Sequence, residues 1–181
     1  AGDEIVQQCG VGLVRVRRDA ARLAFAAPPL LRAGEVDAGT RAQLAAALRV
    51  DVSALRATQW VDNGPGWVAA MLGSREELLA LQPDFAAMHG LKVGVVAPCP
   101  DGHDAQFEAR AFVPDLGVPE DPVTGSLHAG LAQWLIASGL APARYVAAQG
   151  TALGRSGRVF VERDGPTTWI GGGCVTVVWG R

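Results

Sequence analysis

The sequence is short of the residues that mark several common classes of protein. Lysine occurs once, at Lys92, among 16 basic residues, and 18 acidic residues bring the net charge to −2. That balance argues against a nucleic-acid binder, which needs a basic surface to neutralise phosphates. Cysteine occurs three times, as Cys9, Cys99 and Cys174, an odd number without short spacing. Neither a disulfide framework nor a zinc site is expected, and a cytoplasmic location is. His89, His103 and His128 share no metal-ligand spacing. No apolar run approaches the ~20 residues of a membrane helix, and no charged segment followed by an apolar one opens the chain, so no membrane partner and no signal peptide are expected. Apolar residues are plentiful, 49% against 19% charged. A chain of 181 residues with that composition builds a real core and amounts to one domain, or a domain plus a piece of another.

Along the chain, short strands are predicted at 5–6, 13–14 and 23–25, followed by a connector over 27–34. Thr40 is placed to N-cap a helix over 41–48, with Leu44, Ala47 and Leu48 on one face. Strands at 57–61 and 67–72 flank Asp62-Asn63-Gly64-Pro65-Gly66, a strong turn signal. Ser74 with Glu77 forms a capping box for a short helix to Leu81, and a further helical turn is expected over 83–88. A buried strand is expected at 92–97. Residues 106–112 alternate polar and apolar, the pattern of a half-buried strand, which Pro114 ends. An acidic loop follows. The next helix starts at Ser126 or Leu127, is apolar nearly all round, and stops at Gly139, so it belongs inside the protein. Four strands close the chain, at 145–148, 158–162, 168–170 and 175–179. The expected class is α+β, a strand-rich unit around one apolar helix.

The chemistry concentrates in Glu120-Asp121-Pro122-Val123-Thr124-Gly125-Ser126-Leu127-His128, directly before that helix. Free N–H groups at a helix start, with the positive end of the helix dipole, form an anion site. A carboxylic acid beside an anion cradle suits proton transfer on a carboxylate-bearing substrate.

The string Glu-Asp-Pro-x-Thr-Gly-Ser resembles the signature of the PhzF-like family of phenazine-biosynthesis isomerases. Asn63-Gly64-Pro65-Gly66, Gln149-Gly150, Gly154-Arg155, Gly157-Arg158-Val159 and the closing strand before Trp179 are similar to the family's second half, in the same order, so the resemblance covers essentially the whole chain. It implies a diaminopimelate-epimerase-like fold: two lobes, each a curved, mostly antiparallel sheet wrapped around a central helix, with the active site between them. It also implies proton shuttling without a cofactor. The family's principal acid/base is a glutamate in an Asn-x-Ser-Glu-type motif of the first lobe. No such motif, nor the Gly-His signature of that lobe, occurs in these 181 residues. On this resemblance, residues 1–33 are the final strands of the first lobe plus a connector, and 34–181 are the second lobe. The first lobe is expected on another chain or not at all, and the exposed lobe face is expected to take a partner, either that lobe or a second copy.

The resemblance assigns Asp121 to the chemistry and Thr124, Gly125 and Ser126 to the substrate carboxylate, with Asn63 and Gly64 lining the pocket. From the residues alone, Asp121 is also explained as a dipole-stabilising carboxylate, Ser126 as an ordinary cap and Asn63-Gly64 as a hairpin turn. Glu120, Arg155 and Arg158 read as structural, and His128 as a satisfied, partly buried histidine. Ser126 is no hydrolytic nucleophile, because its flanks do not form a Gly-x-Ser-x-Gly elbow. Two other readings stand beside the isomerase: an inactive small-anion binding lobe, and an amino-acid epimerase. Having Ser126 rather than cysteine at the helix start disfavours the epimerase, and Cys9 is not expected to be catalytic.

Overall fold

The computed structural model describes residues 4–19, 22–175 and 177–180. Twelve described strands make one sheet. They are β1 (Glu4–Cys9), β2 (Gly12–Asp19), β3 (Arg22–Ala26), β4 (Arg32–Glu35), β5 (Ala57–Asp62), β6 (Trp67–Met71), β7 (Lys92–Pro98), β8 (Phe107–Val113), β9 (Val118–Asp121), β10 (Arg144–Gln149), β11 (Gly157–Asp164) and β12 (Thr167–Gly173). Three helices accompany them: α1 (Ala38–Leu48), α2 (Arg75–Ala80) and α3 (Gly125–Ala137). The strand order is β1-β2-β3-β12-β11-β10-β8-β7-β6-β5-β4, with β9 paired to β8 off this path. Among the described residues only the β6–β7 and β8–β10 pairs are parallel. No helix among the described residues is long and apolar enough to cross a membrane.

The central strands are buried on both faces. Trp67, Ala69, Val96, Phe107, Ala109 and Ala111 pack with α3 on one side. Val68, Ala70, Val93, Val95 and Phe112 pack with α1 and α2 on the other. This corrects the expectation of a half-buried strand at 106–112, because every residue of β8 is buried. Its polar members are paired instead of solvated. Glu108 bonds Arg75 at 3.0 Å, and Arg110 holds Glu120 at 2.9 and 2.8 Å and also donates to the Leu78 and Leu81 carbonyls. Buried charges are tolerated when paired in this way.

Other local readings need correction. Helix α1 is capped by Asp37, not Thr40. The Asp37 carboxylate accepts from the Thr40 N–H at 2.9 Å and the Thr40 hydroxyl at 2.8 Å, so the helix starts at Ala38. The connector over 27–34 contains the start of β4, and the acidic loop contains β9. The described residues of the expected strand at 175–179, which are 175 and 177–179, form no strand, and 176 lies outside the described residues: β12 ends at Gly173, opposite Arg22, where β3 begins. The Ser74 half of the capping box is present, with Ser74 Oγ accepting from the Glu77 N–H at 3.2 Å, while the Glu77 carboxylate reaches one residue further back and accepts from the Gly73 N–H at 3.0 Å.

Eight of the thirteen residues of α3 are buried, and the helix packs against β5, β6, β11 and β12. Two glycines let it lie that close. A Cβ on Gly130 would meet the Val61 carbonyl oxygen at 2.2 Å, and one on Gly94 would meet Leu127 at 2.3 Å. Gly130→Ala gains ~1 kcal/mol of helix propensity but drives its Cβ into the Val61 carbonyl, an overpacking that costs about 1–3 kcal/mol. The expected outcome in urea unfolding is a net destabilisation of up to ~2 kcal/mol. A stabilised variant would contradict the close approach of α3 to β5.

Candidate functional site

Strand β9 delivers Asp121 to the start of α3 through Pro122 and Val123. The Arg110–Glu120 pair anchors this segment from below, since Glu120 stands opposite Phe112 and Asp121 opposite Ala111 in the β8–β9 register. The helix begins at Gly125, one or two residues before the expected start, with Thr124 in extended geometry at the cap position. Thr124 does not cap with its own side chain. Its hydroxyl donates to Asp121 Oδ2 at 2.6 Å instead.

A buried carboxamide organises this turn. Gln149, fully buried at the end of β10, accepts from the Thr124 backbone N–H at 3.0 Å through Oε1. Its Nε2 donates to the Asp121 carbonyl at 2.8 Å and to Thr124 Oγ1 at 2.9 Å. His128, one turn into α3 and 1% exposed, meets the same Oε1 at 2.9 Å through Nε2. Burial pushes the His128 pKa down to about 4, opposed by the bond to Gln149. The glycines after Gln149 press the second motif onto the first: a Cβ on Gly150 would meet the Pro122 carbonyl at 2.7 Å, and one on Gly157 would meet Val123 at 2.5 Å.

Ser126 is held from the opposite side. Trp67 Nε1–H donates to its Oγ at 3.0 Å, which leaves the Ser126 hydroxyl proton free to point to a further acceptor. Asn63, buried, donates Nδ2 to the Ser126 carbonyl at 2.8 Å. The turn that carries Asn63 is fixed by Asp62, whose Oδ1 accepts from Gly64 N–H at 2.7 Å and Gly66 N–H at 2.6 Å, both glycines having positive φ.

Asn63, Gly64, Gly125 and Ser126 come together around a pocket of about 590 Å³ that Phe25, Leu31 and Val11 complete. Asp121 and Thr124 do not line it. They sit in the hydrogen-bonded turn that leads into it. A second groove, of about 850 Å³, shares Phe25 and Gly125 and runs past Val123, Gly157 and Cys9. The N–H groups of the first helical turn have no partner within the helix, so the pocket meets the positive end of α3. Among the described residues no group of three His, Cys, Asp or Glu side chains is arranged to hold a metal ion. Cys99 is a poor nucleophile, because burial and the Glu108 carboxylate raise its pKa to about 11. Sequence reasoning missed the parts played by Gln149, Trp67 and Phe25. For Gln149 a signal existed, a single amide ending the otherwise apolar run 145–148 and followed by Gly150.

The His128 environment sets a pH dependence. Its folded pKa of about 4 lies below the ordinary 6.5, so the neutral form is favoured in the fold. The stabilisation is therefore complete above about 6.5 and is lost as pH falls towards 4. Acid unfolding of the wild type should show a loss of about 2–3 kcal/mol over that window, and His128→Gln should flatten it. An equally steep loss in the variant would contradict this assignment.

Comparison with known proteins gives a consistent picture. The family model for phenazine biosynthesis-like proteins, PhzC-PhzF, matches residues 1–180. Two uncharacterized isomerases of Pseudomonas aeruginosa are 38% identical over 102 residues (56% of this chain, 38% of the relative) and 37% identical over 111 residues (61% and 41%). A PhzF family protein of Enterococcus faecalis superposes with a TM-score of 0.71 at 23% identity, covering 96% of this chain and 62% of that one. A PhzC/PhzF protein of Clostridium difficile does so with a TM-score of 0.72 at 24% identity, covering 99% and 64%. The chain thus spans less than two thirds of those two structures, and the matched stretch less than half of the two isomerases. The fold is that of these neighbours, with a mixed, mostly antiparallel sheet and few helices, and the chain belongs to the PhzC-PhzF family of phenazine biosynthesis-like proteins.

Proposed function

We propose that this chain is the C-terminal lobe, with adjoining strands, of a PhzF-like isomerase that moves a proton on a small carboxylate-bearing substrate by general acid–base chemistry and without a cofactor. In this reading α3 is the central helix of the second lobe, 34–181, and residues 1–33 finish the first lobe. The start of α3, with Gly125 and Ser126 on the pocket, holds the substrate carboxylate, and Asp121 assists the proton transfer. The observation that carries the reading is the junction of two things at one helix end: a carboxylate bonded by Thr124, whose hydroxyl is in turn held by Gln149, and a pocket lined by the first residues of that helix.

In this reading the principal acid/base is a glutamate of the first lobe, which is not among these 181 residues. Ile5, Leu13, Leu31, Val175, Val177, Val178 and Trp179 are exposed, an apolar surface suited to that lobe or to a second copy. The proposed location is the cytoplasm, in keeping with Cys9, Cys99 and Cys174 standing unpaired.

A second reading has its own support. None of the residues around the pocket is titratable, which suits a lobe that binds small anions and leaves them unchanged. Solvent-deuterium exchange separates the two, because only an acid/base site exchanges a substrate C–H. With the first lobe present, small aromatic carboxylates should exchange. Asp121→Asn should cut that rate by about tenfold or more while shifting stability by less than ~1 kcal/mol. Calorimetric binding without exchange would favour the anion-binding lobe, and an unchanged rate in Asp121→Asn would remove Asp121 from the mechanism.

A further inference from the structure

The hydrogen bonds around Gln149 can be assigned a direction from groups that have no choice. The Thr124 backbone N–H is an obligatory donor and the Asp121 backbone carbonyl an obligatory acceptor. The Gln149 atom 3.0 Å from the first must therefore be the oxygen, and the atom 2.8 Å from the second must be the nitrogen. A flipped carboxamide would set donor against donor at one end and acceptor against acceptor at the other, in a site without water-exposed alternatives.

Two consequences follow from that single orientation. His128 Nε2 lies 2.9 Å from the Gln149 oxygen and must carry the proton, so the imidazole is the Nε2–H tautomer. The Gln149 nitrogen donates to Thr124 Oγ1 at 2.9 Å, occupying a lone pair of that oxygen. The Thr124 proton must then go to its other neighbour, Asp121 Oδ2, at 2.6 Å. Asp121 cannot itself donate at Oδ2, because the hydroxyl already donates there.

We infer that Gln149 is a positioning residue that presents Asp121 as an acceptor, by forcing the Thr124 hydroxyl to donate to its carboxylate. The inference rests on the proposed isomerase only for the reaction in which the acceptor is used. The polarity itself is a property of the folded chain. It fixes how the carboxylate is used, since Oδ2 held this way only receives hydrogen bonds and any proton exchanged with a substrate is left to Oδ1. His128 acts one step further back, by adding a second N–H to the Gln149 oxygen.

Two variants separate positioning from mere packing. Gln149→Glu keeps an acceptor towards Thr124 N–H and His128 but deletes the donors to Thr124 Oγ1 and to the Asp121 carbonyl. Thr124→Val deletes the hydroxyl while keeping the shape. Side-chain NMR of the labelled 181-residue chain at pH 7 should show His128 as the Nε2–H tautomer. The Asp121 carboxyl carbon signal should move in both variants, with the surrounding amide spectrum retained. An Nδ1–H tautomer or an imidazolium at His128, or an Asp121 signal unmoved by Gln149→Glu, would overturn the inference.

Exchange with the first lobe present gives the second readout. Gln149→Glu should lower kcat by about tenfold or more with KM changed less than about threefold, and should have a clearly smaller effect in the Thr124→Val background, where only its bond to the Asp121 carbonyl remains to be lost. Fully additive losses would show that Gln149 does not act through Thr124. If the wild type exchanges nothing, the isomerase reading falls, while the NMR result still decides the polarity.

Discussion

The site depends on how closely α3 lies on the sheet. Gly130 against the Val61 carbonyl and Gly94 against Leu127 set that distance, because neither position has room for a single extra methyl group. With the helix fixed there, its first turn falls between the Asn63 turn on one side and the end of β10 on the other. Asn63, Trp67 and Gln149 then reach the backbone and side chains of residues 121–126 at hydrogen-bonding distance. A helix standing even an ångström higher would lose these contacts together.

Around that seat the structure spends its polar groups on orientation. The Arg110–Glu120 pair, buried between α2 and β9, locks the strand that carries Asp121. Removing one partner of such a pair strands the other charge in the core, so β9 is held by more than its short ladder. Gln149 satisfies two obligatory backbone groups and sets the direction of two side-chain bonds. Buried polar networks of this kind tend towards a single arrangement, because every half-satisfied alternative is costly. His128 shares in this, and its burial as a neutral ring couples the integrity of the turn to pH.

Much of this was legible in the residues. The apolar helix, its glycine stop, the Asp62–Gly66 turn and the Ser74 cap all rest on local rules that the fold obeys. Where reading failed, contacts distant in sequence had overridden local pattern. The alternation at 106–112 signalled an exposed face, but Arg75 and Glu120 neutralise Glu108 and Arg110 and let the whole strand be buried. The segment 175–179 has a strand's composition and no described strand to pair with beyond Gly173. The motif at 120–128 located the helix start, but not the role of Gln149, which lies 25 residues from Thr124 in sequence and touches it only in the fold.

The central claim is that the first turn of α3, at Gly125 and Ser126, is an anion-binding end, and amide NMR of the 181-residue chain titrated with benzoate tests it most directly. Saturable shifts centred on the Gly125 and Ser126 amides are predicted. Shifts absent there, or centred instead on a groove that Arg17, Arg22 and Arg144 line, would contradict the account.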